Sequence, residues 1–103
     1  MRLPKNRSPF HPGVILLDEF LKPAGISQYR LAKDTGMSYP RVNELVKGKR
    51  DITLDTAFRL ARYLGTSAGL WTSMQDAWDL WHFQKSKEFR GIQKIEPAEM
   101  AEV

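Results

Sequence analysis

No cysteine occurs among the 103 residues, which excludes a disulfide framework and any thiolate-held metal. Histidine is scarce as well, and His11 and His82 lie too far apart for ligand-like spacing. The opening stretch MRLPKNRSPFHPG has no continuous apolar core of the kind a secretory signal needs. No run approaches the roughly 18 apolar residues of a membrane span. Paired carboxylates, a nucleophile beside a base, and a phosphate-cradling glycine loop are all missing, so catalysis is not expected. Strand-like alternation is absent too, except for a short IQKI stretch from Ile92 to Ile95. These absences predict one soluble, cytoplasmic, all-α domain with no metal, no cofactor and no membrane partner.

Charge is present, and it is unevenly placed. The formal net charge is +4, yet residues 1–50 carry 10 Lys/Arg against 4 Asp/Glu, while residues 51–103 carry 6 against 8. A polyanion would therefore meet the first half.

Five helices can be read from apolar spacing and punctuation. The first takes Val14, Leu17, Phe20 and Leu21 inward, follows Pro12 and Gly13, and is expected to stop at Lys22, Pro23 and Gly25. Ser27 reads as the N-cap of the second, with Leu31 and Ala32 inward and Gly36 at its end. The third opens at Ser38, accepts Pro40 in its first turn and ends near Lys47. Thr53 caps the fourth, with Asp55 at its positive end and a buried stripe of Leu54, Ala57, Phe58, Ala61 and Leu64. The fifth starts at Thr66 or Ser67 and runs to about Lys87, carrying Trp71, Met74, Trp78 and Trp81 on one side and Leu70, Ala77 and Leu80 on another. Residues 88–103 read as a flexible acidic tail with Glu96, Glu99 and Glu102, and residues 1–10 as an N-terminal arm.

Ser27 to Arg50 has the layout of a helix-turn-helix: two short helices pivoting on a glycine, then a cationic run. A major groove about 12 Å wide admits one helix if a second braces it. Val42 and Leu45 would pin the third helix inward, leaving Tyr39, Pro40, Asn43, Glu44 and Lys47 outward and Arg41 on the flank. Asn suits adenine, Arg guanine and Glu cytosine, while a Tyr ring or Pro can pack on a thymine methyl. Gln28, Ser38, Lys47, Lys49 and Arg50 are placed for phosphates, which set register without reading sequence. Ser27 and Ser38 also have a simpler reading as helix caps, and Glu44 as an i to i+3 partner of Lys47. Four short helices offer little cover for Trp78, Trp81 and Phe83, which are expected to form a homodimer interface. A two-fold pair would set two reading helices about 34 Å apart, matching a palindrome on double-stranded DNA.

The chain resembles the HigA-type antitoxins of type II toxin-antitoxin modules, a branch of the phage-repressor-like, XRE-type helix-turn-helix proteins. The resemblance covers residues 11–80 and rests on the HPG opening, the string GKR-x-IT-x-DTA-x-RLAR-x-LGTS and W-x-x-M-Q-x-x-x-DL. It implies a lambda-repressor-like five-helix fold and a repressor of its own operon. It also implies a partner, a small HigB-type toxin of the RelE-like mRNA endonuclease class. By position it assigns DNA reading to Gln28, Ser38, Tyr39, Arg41, Asn43, Lys47 and Arg50, and dimerisation to the fifth helix. The sequence departs from the family pattern at Lys47, where Asn is frequent, at Asp51, where a small residue is common, and in the aromatic Trp78, Trp81 and Phe83. A solitary regulator without a toxin is the alternative that the sequence leaves open.

Overall fold

A computed structural model describes residues 8–100; the first seven positions of the expected N-terminal arm and the last three of the tail, Glu102 among them, lie outside the described residues. Six helices form the described chain: α1 over residues 12–24, α2 Gln28–Thr35, α3 Tyr39–Val46, α4 Leu54–Leu64, α5 Ala68–Phe83 and α6 Lys87–Ile92. Among the described residues there is no strand, so the IQKI stretch is not one, and no helix is long and apolar enough to cross a membrane.

The HPG opening explains itself at the start of α1. His11 is the N-cap, its Nδ1 accepting from the Gly13 N–H at 2.9 Å, and Pro12 occupies the first helical position, where an N–H would have no helical partner. Gly13 is there because α1 meets α3 backbone to backbone. A Cβ built on Gly13 would lie 1.6 Å from the Leu45 carbonyl oxygen.

Of the residues expected to stop α1, Gly25 does so, in the left-handed region (φ 66°), whereas Lys22, Pro23 and Ala24 are still helical. The reason is a π-helical segment, Leu16–Leu21, in which Lys22 N–H donates to Leu17 O. The wider turn makes room for a proline ring that a regular α-turn resists, and i to i−5 bonding brings residues five apart to one side. Leu16 and Leu21 are both fully buried as a result. Phe20, in the same segment, packs on Trp71 with ring centroids 5.2 Å apart.

Trp71 is the centre of the core, completely buried with Leu16, Leu31, Val42, Leu45, Ala57 and Leu60 around it. Its indole N–H donates to Thr66 Oγ1 at 2.8 Å, so the one polar atom of the largest core residue is satisfied. Gln75, one turn further along α5, is a buried polar hub. Its Oε1 accepts from the Ile52 N–H at 2.7 Å, and its Nε2 donates to Asp51 Oδ1 and Asp79 Oδ1. The segment after α3 is thereby tied to α5, and Asp51, unusual for the family pattern, gains a structural partner.

Two expectations need correction. On α4 the buried residues are Thr56, Ala57 and Leu60, whereas Leu54 and Phe58 are 69% and 64% exposed. Ala57, Ala61 and Leu64 of the expected stripe do face inward, and the buried arc is completed by Thr56 and Leu60 instead of Leu54 and Phe58, with Arg41 donating to Asp55 and Thr56 at the first turn. The second concerns the C-terminal end: the fifth helix does not run to about Lys87 but ends at Phe83, and the stretch read as a tail begins as a helix, Lys87–Ile92. Ser86 caps α6 by accepting from Phe89 N–H, and Phe89 meets Phe83 edge-on at 6.4 Å.

His11 makes the fold sensitive to acid. Burial pushes its pKa below the usual 6.5, while the carboxylates of Asp51 and Asp79 pull partly the other way. The folded chain therefore disfavours the proton that the unfolded chain accepts, so stability is full above 6.5 and declines as pH falls below it. A proton on Nδ1 would also remove the acceptor of the cap. The expected result is a melting temperature that drops from pH 7.5 to pH 5.5, with a shallower drop in His11→Asn, where a non-titrating cap remains. Equal slopes would contradict this account of His11.

Candidate nucleic-acid interface

Helices α2 and α3 are joined by a short turn in which Gly36 adopts φ 74°. Ser27 and Ser38 cap them, their hydroxyls accepting from Arg30 N–H at 3.0 Å and Arg41 N–H at 3.2 Å. Both serines are thus committed to helix ends, although Ser38 Oγ remains exposed beside Tyr39. Val42, Leu45 and Val46 are buried on one side of α3, which leaves Tyr39, Pro40 and Lys47 open to solvent on the other.

At the middle of this face Asn43 Nδ2 donates to Gln28 Oε1 at 3.0 Å. The pair links the first residue of α2 to the fifth residue of α3. It leaves the Asn43 carbonyl and the Gln28 amide protons to meet a ligand, a matched acceptor and donor of the type that reads adenine in the major groove.

The arginines are less free than the sequence suggests. Arg41, expected among the base readers, instead donates from Nη2 to Asp55 Oδ2 and to Thr56 Oγ1, both at 2.6 Å, with only 23% of its side chain exposed. The same Asp55 oxygen accepts from Arg59 Nε at 2.9 Å, and Arg59 Nη1 donates to the Thr35 carbonyl at 2.7 Å. Two cationic neighbours hold the Asp55 carboxyl below its ordinary pKa, Arg41 foremost and then Arg59. Glu44 pairs with Arg50, at 2.5 Å to Nη2 and 2.8 Å to Nε, and not with Lys47. The pairing crosses the end of α3, where the chain turns at Lys47 and Gly48 and brings residue 50 back beside residue 44. Lys47 and Lys49 are exposed and carry no ion pair among the described residues.

Asp55 and Arg59 had no place among the sequence-derived site residues. The DTA and RLAR strings mark them only as pattern, since the pairing spans 14 residues from Arg41 to Asp55 and no local periodicity carries it.

The aromatic end of α5 divides. Trp78 is half-buried within the chain, edge-on to His11 at 5.1 Å and tilted against His82 at 4.0 Å. Trp81 is partly covered by Lys85, whose ammonium lies 4.4 Å from the ring centre. Leu80 and Phe83 are about half exposed and form an apolar surface with Phe89 and Ile92 of α6.

The helix-turn-helix family HTH_3 matches residues 17–71, the span from mid-α1 to the buried Trp71. The chain belongs to the HigA-type helix-turn-helix family. Virulence-associated protein I of Dichelobacter nodosus is 48% identical over 85 residues, covering 82% of this chain and 79% of that protein. Antitoxin HigA-1 of Vibrio cholerae is 38% identical over 81 residues, 79% of this chain and 75% of its own length. Among solved structures, the Pseudomonas aeruginosa antitoxin HigA with the higBA promoter superposes with a TM-score of 0.80 at 40% identity, over 86% of this chain and 97% of that one. The family strings acquire physical content on this fold. HPG caps α1 and lets it touch α3, DTA supplies Asp55 and the buried Thr56 and Ala57, and W-x-x-M-Q supplies the core tryptophan and the Gln75 hub.

Proposed function

We propose that this HigA-type chain is an antitoxin that also represses its own operon. A homodimer reads a palindromic operator through α3, and the same protein binds and neutralises a small HigB-type, RelE-like mRNA endonuclease. The observation that supports the reading best is the Gln28–Asn43 pair at 3.0 Å, a polar reading head on an uncovered helix face. The solved P. aeruginosa relative carries promoter DNA on the same fold, which supports the assignment from outside the chain.

Asn43, Gln28, Tyr39 and Pro40 take the base edges, and Ser38, Lys47 and Lys49 meet phosphates. Arg50 joins them by exchange, because its pairing with Glu44 is an exposed one of the kind worth about 0–1 kcal/mol and a phosphate can replace the carboxylate. Dimerisation falls to the exposed end of α5, through Trp81, Phe83 and Leu80, with Trp78 behind them.

Co-expression with the product of the neighbouring small gene tests the whole proposal. Co-purification of the two proteins, together with rescue of growth arrested by the small protein alone, is the expected outcome. Operator binding with neither effect would make the chain a solitary regulator.

A further inference from the structure

Three of the arginines that surround α3 are held by carboxylates, and one carboxylate holds two of them. Asp55 Oδ2 takes Arg41 from the third position of α3 and Arg59 from α4, at 2.6 and 2.9 Å. Thr56 fixes Arg41 from a second side at 2.6 Å, and the Thr35 carbonyl, at the end of α2, fixes Arg59 at 2.7 Å. The turn glycine completes the arrangement. A Cβ on Gly36 would stand 3.1 Å from Arg59 Nη1, so the guanidinium lies across the bend of the helix-turn-helix.

In this fold class the first residues of the reading helix meet the base edges while the helix before it crosses the backbone. A free arginine there would bind any phosphate, raising affinity for every sequence alike. Discrimination is a difference of affinities, and it improves when indiscriminate attraction is withheld.

We propose that Asp55 is a specificity-determining residue, which keeps Arg41 and Arg59 off the DNA backbone and locks α3 to α4 and α2 at one angle. This rests on the DNA-reading proposal above. Asp55 is not needed as a helix cap, since Thr53 caps α4. Its removal takes from both guanidiniums their only carboxylate among the described residues, leaving Arg41 on the Thr56 hydroxyl and Arg59 on the Thr35 carbonyl, neutral acceptors that a phosphate can displace, while the helix keeps its start.

The test measures binding of the full chain to a duplex from its own promoter and to a scrambled duplex, over a range of salt, for wild type, Asp55→Ala, and Asp55→Ala combined with Arg41→Ala. Asp55→Ala should steepen the salt dependence on the scrambled duplex by about 1–2, close to 0.9 for each new phosphate contact. Scrambled-duplex affinity should rise about tenfold near 0.1 M salt, and the promoter-to-scrambled ratio should fall by at least as much. Adding Arg41→Ala should return the salt slope most of the way to wild type. Melting temperatures identify a purely structural role: if stability falls while the ratio and slope stay at wild-type values, the proposal is overturned. Asp55→Asn, which keeps shape without charge, decides the matter if the alanine variant fails to fold, because it must show the same loss of ratio. Wild-type protein that makes no distinction between the duplexes would refute the DNA-reading proposal itself, a different result from an unchanged ratio in the variant.

Discussion

Gly13→Ala is expected to unfold the protein or leave it barely stable at 37 °C. The usual arithmetic has the opposite sign, because alanine in a helix is favoured over glycine by about 1 kcal/mol. Here the new methyl would sit 1.6 Å from the Leu45 carbonyl oxygen, on the backbone of α3, where no side chain can swing aside. Helix α1 must back away from α3, which opens the core at Leu16 and Leu45 and strains the His11 cap. A cost of at least about 3 kcal/mol follows, the upper end for overpacking, against a total stability of about 5–15 kcal/mol. Gly69→Ala serves as the control. Gly69 is the second residue of α5, where the nearest atom to a Cβ beyond the adjoining residues and the helix backbone is Ser67 Oγ, at 3.9 Å, so the variant should be at least as stable as wild type. Thermal or urea unfolding of the two variants checks the contrast, and a Gly13→Ala protein as stable as wild type would show that α1 and α3 do not touch as described.

Asn43→Ala is expected to cost about 1–3 kcal/mol of operator binding, roughly tenfold to more than a hundredfold, with little change on scrambled DNA. The amide makes no charge contact, so the salt slope should stay put. Gln28→Ala should produce a smaller loss through the same channel, because its carbonyl oxygen holds Asn43 in place at 3.0 Å. The double variant should then lose less than the sum of the two, as bonded residues do. Titration of the operator by each protein checks this, and strict additivity would separate Gln28 from the reading head.

The local grammar of the chain was legible in advance. Ser27, Ser38 and Thr53 cap the helices they were expected to cap, and Gly36 takes the left-handed conformation that the turn requires. Caps and turns are decided within three or four residues, so a sequence displays them. What it did not display depends on partners far along the chain. Pro23 reads as a helix stop until a π-turn ahead of it makes room. The exposure of Leu54 and Phe58 at one edge of the α4 stripe, and the bond that Arg41 makes to Asp55 beside them from 14 positions away, are recorded by no apolar period. The bond from Arg41 to Asp55 spans 14 residues and that from Glu44 to Arg50 crosses the end of a helix, so neither pairing shows in the sequence. Helix α6 escaped notice because six residues, one of them Gly91, make too short a pattern, yet Ser86 and the Phe83–Phe89 contact start it. Trp78 packs within the chain against His11 and His82, contacts 67 and 4 residues away in sequence, the first of which no helical period reveals.

Hydroxyl-radical footprinting of the promoter upstream of this gene tests the central claim most directly. Wild-type protein should protect two symmetric half-sites in successive major grooves, about 34 Å apart on one face of the duplex. A Trp81→Glu protein, expected to be monomeric with a charge at the proposed dimer contact, should need far higher concentration to give the same pattern. Protection of a single half-site by wild type, or no protection that distinguishes the promoter from other DNA, would contradict the account.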